Sequence, residues 1–321
     1  MTSPATRPPR NGLARASPLA KHAFASSWQS WRMHDTSYAS PTSAAVERAA
    51  EAALEAAGRR SSPSTWTLVE HGSANVVILT EDAAVRVARS DPAAIEVRRA
   101  QRLVDALPAL PFAVPRSLGP AVEVNGVTAI AQVRIAGSPH EPGSGDPSAL
   151  AGLLDAVRSV PILSLSPHLS VPRAFMGGST WHQRMRRDVI PLLDRHVQEE
   201  ASRRVDSLAD LPPAARTLTH GDLAGTNVLW QDGKVTGVLD WDLASADDAA
   251  EDIASLASWH GWAGVTAFAS PDELHRARVF AATHVLQPIA FSLIQGRPAA
   301  EVERAVERAN KRLAASPAVT A

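Results

Sequence analysis

The sequence predicts an α+β protein with two lobes, the first small and β-rich, the second larger and mostly helical. Three observations carry this expectation. Residues 66–135 hold short runs rich in β-branched side chains; residues 137–145 are crowded with Gly and Pro; and the chain beyond residue 145 is mostly helical in its periodicity, around one compact β patch. The chain has 321 residues, enough for one large domain or two modest ones, and enough to bury a real core.

Bulk composition removes several function classes. Hydrophobic residues make up 45% and charged residues 20%, an ordinary globular balance. The formal net charge is −1, so nothing electrostatic points to nucleic acid or an anionic membrane as partner. Cysteine is absent, which excludes disulfides, thiolate catalysis and cysteine metal sites, and fits a reducing cytoplasm. No apolar run approaches the ~20 residues that a spanning helix needs. The expected location is cytoplasmic, and the sequence carries no signal of oligomeric state.

Taken in order, residues 1–42 read as a disordered tail. Pro, Ser and Ala dominate there, and Arg7, Arg10, Arg15, Lys21 and Arg32 precede the first acid, Asp35. No apolar stretch succeeds those cations, so it is a poor secretory signal; an organelle leader, or a true start at Met33, are the other readings. A first, β-rich lobe with a leading helix is expected over 43–136. It opens with a helix over 43–60, rich in Ala and Glu and closed by Gly58 and Pro63. Strands are expected at 66–70, 75–80 and 83–88. Asp91-Pro92 opens a helix to about 107. Two more strands, 121–124 and 127–135, turn at Asn125-Gly126.

The helical lobe is expected over 137–321. Helical periodicity covers 147–160, 180–205, 248–259, 271–294 and 299–315. The β patch lies at 218–219, 228–230 and 235–239, with Asp232-Gly233 as its turn.

Chemistry concentrates around that patch. Residues 220–227 read His220-Gly221-Asp222-Leu223-Ala224-Gly225-Thr226-Asn227, and thirteen residues later comes Asp240-Trp241-Asp242. A hairpin through Asp232-Gly233 brings Asn227 and Asp240 together, with Asp222 on the adjoining loop. Phosphoryl transfer needs such a group, because the protein's work there is positioning and charge neutralisation. A carboxylate beside the attacking hydroxyl accepts its proton and aims its oxygen. Magnesium prefers oxygen ligands and keeps several waters, so one carboxylate and one amide carbonyl suffice. On this reading Asp222 is the base, and Asn227 and Asp240 hold Mg2+.

These segments resemble the aminoglycoside phosphotransferase family, relatives of the protein kinases, over roughly residues 66–262. Asp222 and Asn227 have the separation of the catalytic Asp and Asn in the kinase motif H-R-D-L-x-x-x-N, with Gly221 in place of its Arg. Residues 238–242 look like the family's metal-binding strand end, and 248–254 like its next helix, D-P-x-x-D-L-A, with Ala249 where proline is common. The resemblance implies a protein-kinase-like bilobal fold with 43–136 as its nucleotide-binding lobe, ATP as phosphoryl donor (GTP possible), Mg2+ and a small hydroxylated acceptor. It implies that Asp252 braces the catalytic loop. Gly72 and Ser73 would form a turn over the nucleotide, Arg86 would pair with its phosphates, and Glu96 would orient Arg86. Backbone groups near Gln132 to Arg134 would meet the adenine. His220 is expected to orient the loop. Asp242 is expected to stand beside the metal or to cap the next segment.

Bland readings compete. An isolated Asp–Asn pair is usually a turn or cap. It is the ordered set Asp222, Asn227, Asp240 that favours chemistry. Arg86 and Glu96 also fit a solvated ion pair, and Trp181, Trp259 and Trp262 fit packing as well as a substrate wall. Two other function classes remain open: a non-catalytic nucleotide-binding regulatory protein on the same fold, and a metal-dependent hydrolase using clustered acids.

Overall fold

The computed structural model describes residues 41–69 and 74–315. The expected tail and the expected nucleotide turn at Gly72 and Ser73 therefore lie outside the described residues, apart from 41 and 42.

The first helix, α1 (Ser43–Ala56), is capped by Thr42, whose hydroxyl accepts from the Ala45 N–H. Next comes a five-stranded antiparallel sheet, built from β1 (Thr67–Val69), β2 (Asn75–Leu79), β3 (Ala83–Ala88), β4 (Val122–Val124) and β5 (Val127–Val133), in the order β1-β2-β3-β5-β4. Helix α2 (Asp91–Ala106) lies between β3 and β4 in sequence, with Ser90 as its cap and Pro92 in its first turn. The β4–β5 turn places Asn125 at φ 51° and Gly126 at φ 78°, the left-handed pair that an Asn-Gly hairpin requires.

Side-chain alternation assigns each face of the sheet. Val76, Ile78, Val85, Val87, Val127, Ala129 and Ala131 pack against Val46, Ala49, Ala50, Ala53 and Leu54 of α1. The alanines let the helix approach closely. Residues of the other parity face α2 and the cleft: Ile130 packs on Val97, Thr128 accepts from Arg98, and the Gln132 amide donates to Gln101. Arg86 has that second parity, between Val77 on β2 and Ile130 on β5. A one-residue slip would bury it against α1.

Beyond the sheet the chain crosses into the helical lobe through backbone pairing. The linker residue Ser138 exchanges both backbone bonds with Trp230, at 3.0 and 2.9 Å. Ahead of β4, Ala113 pairs with the same hairpin from its other side. The helices are α3 (Pro147–Arg158), α4 (Trp181–Arg184), α5 (Arg195–Ala209), α6 (Ala250–His260), α7 (Trp262–Thr266), α8 (Pro271–Thr283), α9 (Gln287–Ile294) and α10 (Ala299–Ala315). They share one large core that includes Leu150, Leu154, Met185, Leu223, Trp241 and Ile253. The β patch forms β6 (Thr217–Thr219), β7 (Val228–Gln231), β8 (Lys234–Val238) and β9 (Ser245–Asp247), with β6 paired to β9 and β7 to β8.

Two expected long helices are broken. The stretch 180–205 is α4, a π-helical turn over Met185–Val189, a 3-10 turn over Ile190–Leu192, and then α5. Pro191 offers no N–H to carry the ladder onward, and Asp194 takes an extended conformation before α5 restarts. The stretch 271–294 is α8 and α9, meeting at 55° just ahead of Pro288. Strand β9 was not expected, because Ser245-Ala246-Asp247 has no β-branched residue; β6 supplies its partner. Among the described residues no single helix is long and apolar enough to cross a membrane.

Candidate active site

The hairpin β7–β8 turns at Asp232 and Gly233, both left-handed at φ 51° and 73°. Its closure pairs Val228 with Val238, and the Leu239 N–H donates to the Asn227 carbonyl at 2.8 Å. This is how residues thirteen apart become neighbours. Asp240 then breaks out of strand geometry at φ 60°, ψ 62°. Such a conformation in a non-glycine residue costs on the order of 1–3 kcal/mol and is kept where the surroundings enforce it. Here it coincides with a carboxylate at the cleft.

The loop carrying Asp222 is held from behind. Both carboxylate oxygens of Asp252, on α6, accept backbone N–H groups, from His220 at 2.8 Å and Gly221 at 2.9 Å. Gly221 sits at φ 81°, and a Cβ there would come within 2.9 Å of the Leu243 carbonyl oxygen. His220 is fully buried, and burial pushes its imidazole down to about 4, so it is neutral near pH 7. Its Nε2 faces the Leu239 carbonyl at 2.8 Å and its Nδ1 faces the Asp222 N–H at 3.2 Å. Those partners fix the tautomer with the proton on Nε2. His220 thus ties the Asp222 loop to the strand that delivers Asp240. Gly225 lies flat on the indole of Trp259, where a Cβ would fall 1.9 Å from a ring carbon. Trp259 therefore packs against the loop.

The Asp222 carboxylate accepts from Asn227 Nδ2 at 3.0 Å, and the same amide donates to the Asp222 carbonyl at 2.9 Å. Burial raises the Asp222 carboxyl above the usual range, while Asn227 and the Ala224 N–H pull it back. Desolvation at the cleft and then the like charge of Asp242 raise the Asp240 carboxyl above the usual range, against the pull of Arg86, and water at its exposed half moderates that rise. With 52% of the Asp240 side chain still open to solvent, an incoming cation can reach it. One carboxylate and one amide oxygen, carried on the two ends of the same hairpin, are an all-oxygen pair of the kind that suits a hard divalent cation bringing its own waters.

From the opposite wall, Arg86 donates two bonds to Asp242, Nη1 to Oδ1 at 2.9 Å and Nη2 to Oδ2 at 2.6 Å, and stands 3.5 Å from Asp240. Burial opposes its charge, but these two acids raise its pKa further above the ordinary arginine value. Glu96 does not touch Arg86. Its carboxylate meets Arg99 at 2.9 Å, three residues along α2, because that face of the helix points along its own surface. Near the expected adenine edge, the Val133 N–H is engaged by the Arg116 carbonyl and the Arg134 guanidinium by the Thr80 carbonyl. Gln132 is buried, with its amide on Gln101. A base meeting this edge must use other backbone groups.

Sequence reasoning missed Arg99, Trp259 as a partner of Gly225, and Glu251. Arg99 reaches across from α2 to the carbonyls of His168 and Asp242. No local pattern marks it, since its partners are remote in sequence. Glu251 is 4% exposed, beside Asp247 and Asp252. Burial first, then Asp247, raises it to about 8, against the pull of Arg173. The folded state therefore holds this proton where the unfolded chain releases it, and the Glu251 contribution to stability falls as pH rises from the ordinary carboxylate range to about 8. Glu251→Gln is expected to match the wild type in thermal denaturation at pH 5 and to melt several degrees higher at pH 8.5.

A β-rich lobe facing a helical lobe across a cleft, with this loop at its floor, is a protein-kinase-like α+β fold. The family model described as the phosphotransferase enzyme family matches residues 65–281, and the chain belongs to that family. Viomycin phosphotransferase of Streptomyces vinaceus is 38% identical over 81 residues, which are 24% of this chain and 28% of that protein. Hygromycin-B 4-O-kinase of Escherichia coli is 31% identical over 74 residues, 22% of each chain. These matches span less than a third of either relative. Among solved structures, the GDP complex of wild-type aminoglycoside 2'-phosphotransferase-IIIa superposes with a TM-score of 0.70 at 16% identity, covering 85% of this chain and 99% of that one. Macrolide 2'-phosphotransferase type I superposes with a TM-score of 0.61 at 21% identity, covering 87% and 99%. At these identities the two structures share the fold.

Proposed function

We propose that the chain is a small-molecule kinase that moves the γ-phosphoryl group of a nucleoside triphosphate to an alcohol. The observation that supports it best is the convergence of Asp222, Asn227 and Asp240 on one side of a cleft, with Arg86 facing them from the other. Residues 43–136 would form the nucleotide lobe and 137–321 the acceptor lobe. Asn227 and Asp240 would hold Mg2+, which neutralises phosphate charge when bound, and Arg86 would neutralise more from the sheet. Asp222 would take the proton as the acceptor oxygen bonds to the γ-phosphorus. The bond from that phosphorus to the bridging oxygen breaks, and the nucleoside diphosphate leaves with the electron pair.

The acceptor class is argued from charge. Asp188, Glu200, Asp206, Asp247 and Asp248 all lie within ion-pair distance of the chain's own arginines. Little free negative charge is left among them to collect a polycation. A bulky, weakly charged hydroxylated molecule is the better fit, of the kind named for the macrolide phosphotransferase of like fold rather than the basic antibiotics of the two sequence relatives.

A nucleotide-consumption screen tests this, with ATP and GTP, with and without Mg2+, against macrolides, tuberactinomycin-type peptides, aminoglycosides, sugars and amino alcohols. The expected result is Mg2+-dependent turnover stimulated by a weakly charged acceptor. Mg2+-nucleotide binding seen in thermal shift without turnover on any acceptor would favour the regulatory reading. Substrate hydrolysis without nucleotide would favour the hydrolase.

A further inference from the structure

Arg86 is the cation that the sheet presents to the cleft, and in the proposed kinase it meets nucleotide phosphates. A long side chain in that role has to be held, or it samples many rotamers. A carboxylate from the helix beside the sheet would be the simplest holder, and Glu96 was the sequence candidate. Helix α2 instead turns a second arginine to the cleft. Arg99 donates to the His168 carbonyl at 2.6 Å and to the Asp242 carbonyl, and its Nε occupies Glu96 at 2.9 Å. The acid that meets Arg86 comes from the other lobe. Asp242 takes it in a two-bond fork, the strongest geometry an arginine and a carboxylate can form, and both side chains are mostly buried, at 13% and 20% exposure.

We propose that Asp242 is the positioning residue for Arg86, that Arg99 sets Asp242 from α2, and that Asp242 is not a metal ligand. The sheet-to-helix ion pair is thereby replaced by a relay that crosses the cleft, from Arg99 through the Asp242 backbone carbonyl to the Asp242 carboxylate and Arg86, with Glu96 outside it. The Asp242 carboxylate sits two residues from Asp240, so the phosphate cation and the metal acid are placed by the same short turn. The rival role for Asp242 is a second metal carboxylate beside Asp240.

This inference rests on the proposed nucleotide site, and binding measurements keep the two apart without needing an acceptor. The probe is a fluorescent N-methylanthraniloyl analogue of ADP or GDP, titrated onto the full chain at a series of Mg2+ concentrations. Asp242→Asn and Arg86→Ala are each expected to raise Kd about tenfold or more, and the double variant to bind no more weakly than the worse single one. The Mg2+ concentration for half-saturation should stay within about twofold of the wild type in Asp242→Asn and rise about tenfold in Asp240→Asn. Glu96→Gln should change Kd by less than about threefold, since it touches only Arg99. Arg99→Ala should weaken binding in the wild type and add nothing on the Arg86→Ala background, which repeats the test should Asp242→Asn fail to fold. The relay is overturned if Asp242→Asn shifts the Mg2+ requirement as Asp240→Asn does, if the Asp242 and Arg86 losses multiply, or if Glu96→Gln weakens binding as much as Asp242→Asn. A wild-type chain that binds neither analogue overturns the phosphotransfer reading itself.

Discussion

Asp222→Asn is expected to leave nucleotide affinity within a few-fold of the wild type while lowering turnover on the identified acceptor by about 10²–10⁴-fold, the range that a positioned acid or base contributes. The substitution keeps the side-chain volume and one oxygen, so the bond from Asn227 can persist and the loop has no steric reason to move. What is lost is the carboxylate placed on the catalytic loop to take the acceptor proton. Arg86 and Asp240, which face the phosphates and the metal on the proposed reading, make no hydrogen bond to Asp222, whose charge reaches Asp240 only through space. A fall in kcat with an unchanged nucleotide KM is therefore the predicted signature. Turnover within tenfold of the wild type would remove Asp222 from the role of base.

Asp252→Ala is expected to be the most destabilising single change near the site. Asp252 is 1% exposed and satisfies the N–H groups of His220 and Gly221 together. Leaving a buried donor unsatisfied costs about 1–3 kcal/mol, so losing both bonds should lower stability by about 2–5 kcal/mol in urea denaturation. A compensating gain keeps the loss from being larger: burial raises the Asp252 carboxyl to about 7 in spite of its two donors, so the wild type already carries a desolvation cost there. Asp252→Asn should fall between, since one amide oxygen can serve one N–H while its NH2 faces the other. Because the loop also carries Asp222, the alanine variant should lose turnover even at temperatures where it remains folded.

The pattern of legible and illegible features has physical causes. Strand edges at 75 and 83 and the turns at Asn125-Gly126 and Asp232-Gly233 were legible because β-branched runs and left-handed turn residues act within a few positions. The approach of Asn227 and Asp240 was legible because the Asp232-Gly233 turn brings the two strand ends together, but the bulge at Leu229/Trp230, which shifts the register by one residue, was not. The breaks at Pro191 and before Pro288 were written in the sequence too, but helical periodicity on both sides masked them. Strand β9 was not legible, because Ser-Ala-Asp becomes a strand only when β6 is there to pair with it.

Charge partners were the least legible feature. Glu96 and Arg86 are ten residues apart and on adjoining elements, yet the helix rotates Glu96 onto Arg99 and leaves Arg86 to an acid 156 residues away. Alone, the sequence determined the elements, the hairpin that joins amide to acid, and the loop that carries Asp222, because each depends on neighbours a few positions apart. The tertiary structure decided which carboxylate holds which arginine and how far burial lifts Glu251 and Asp252, because those depend on distance through space and on water excluded by the packed core around them.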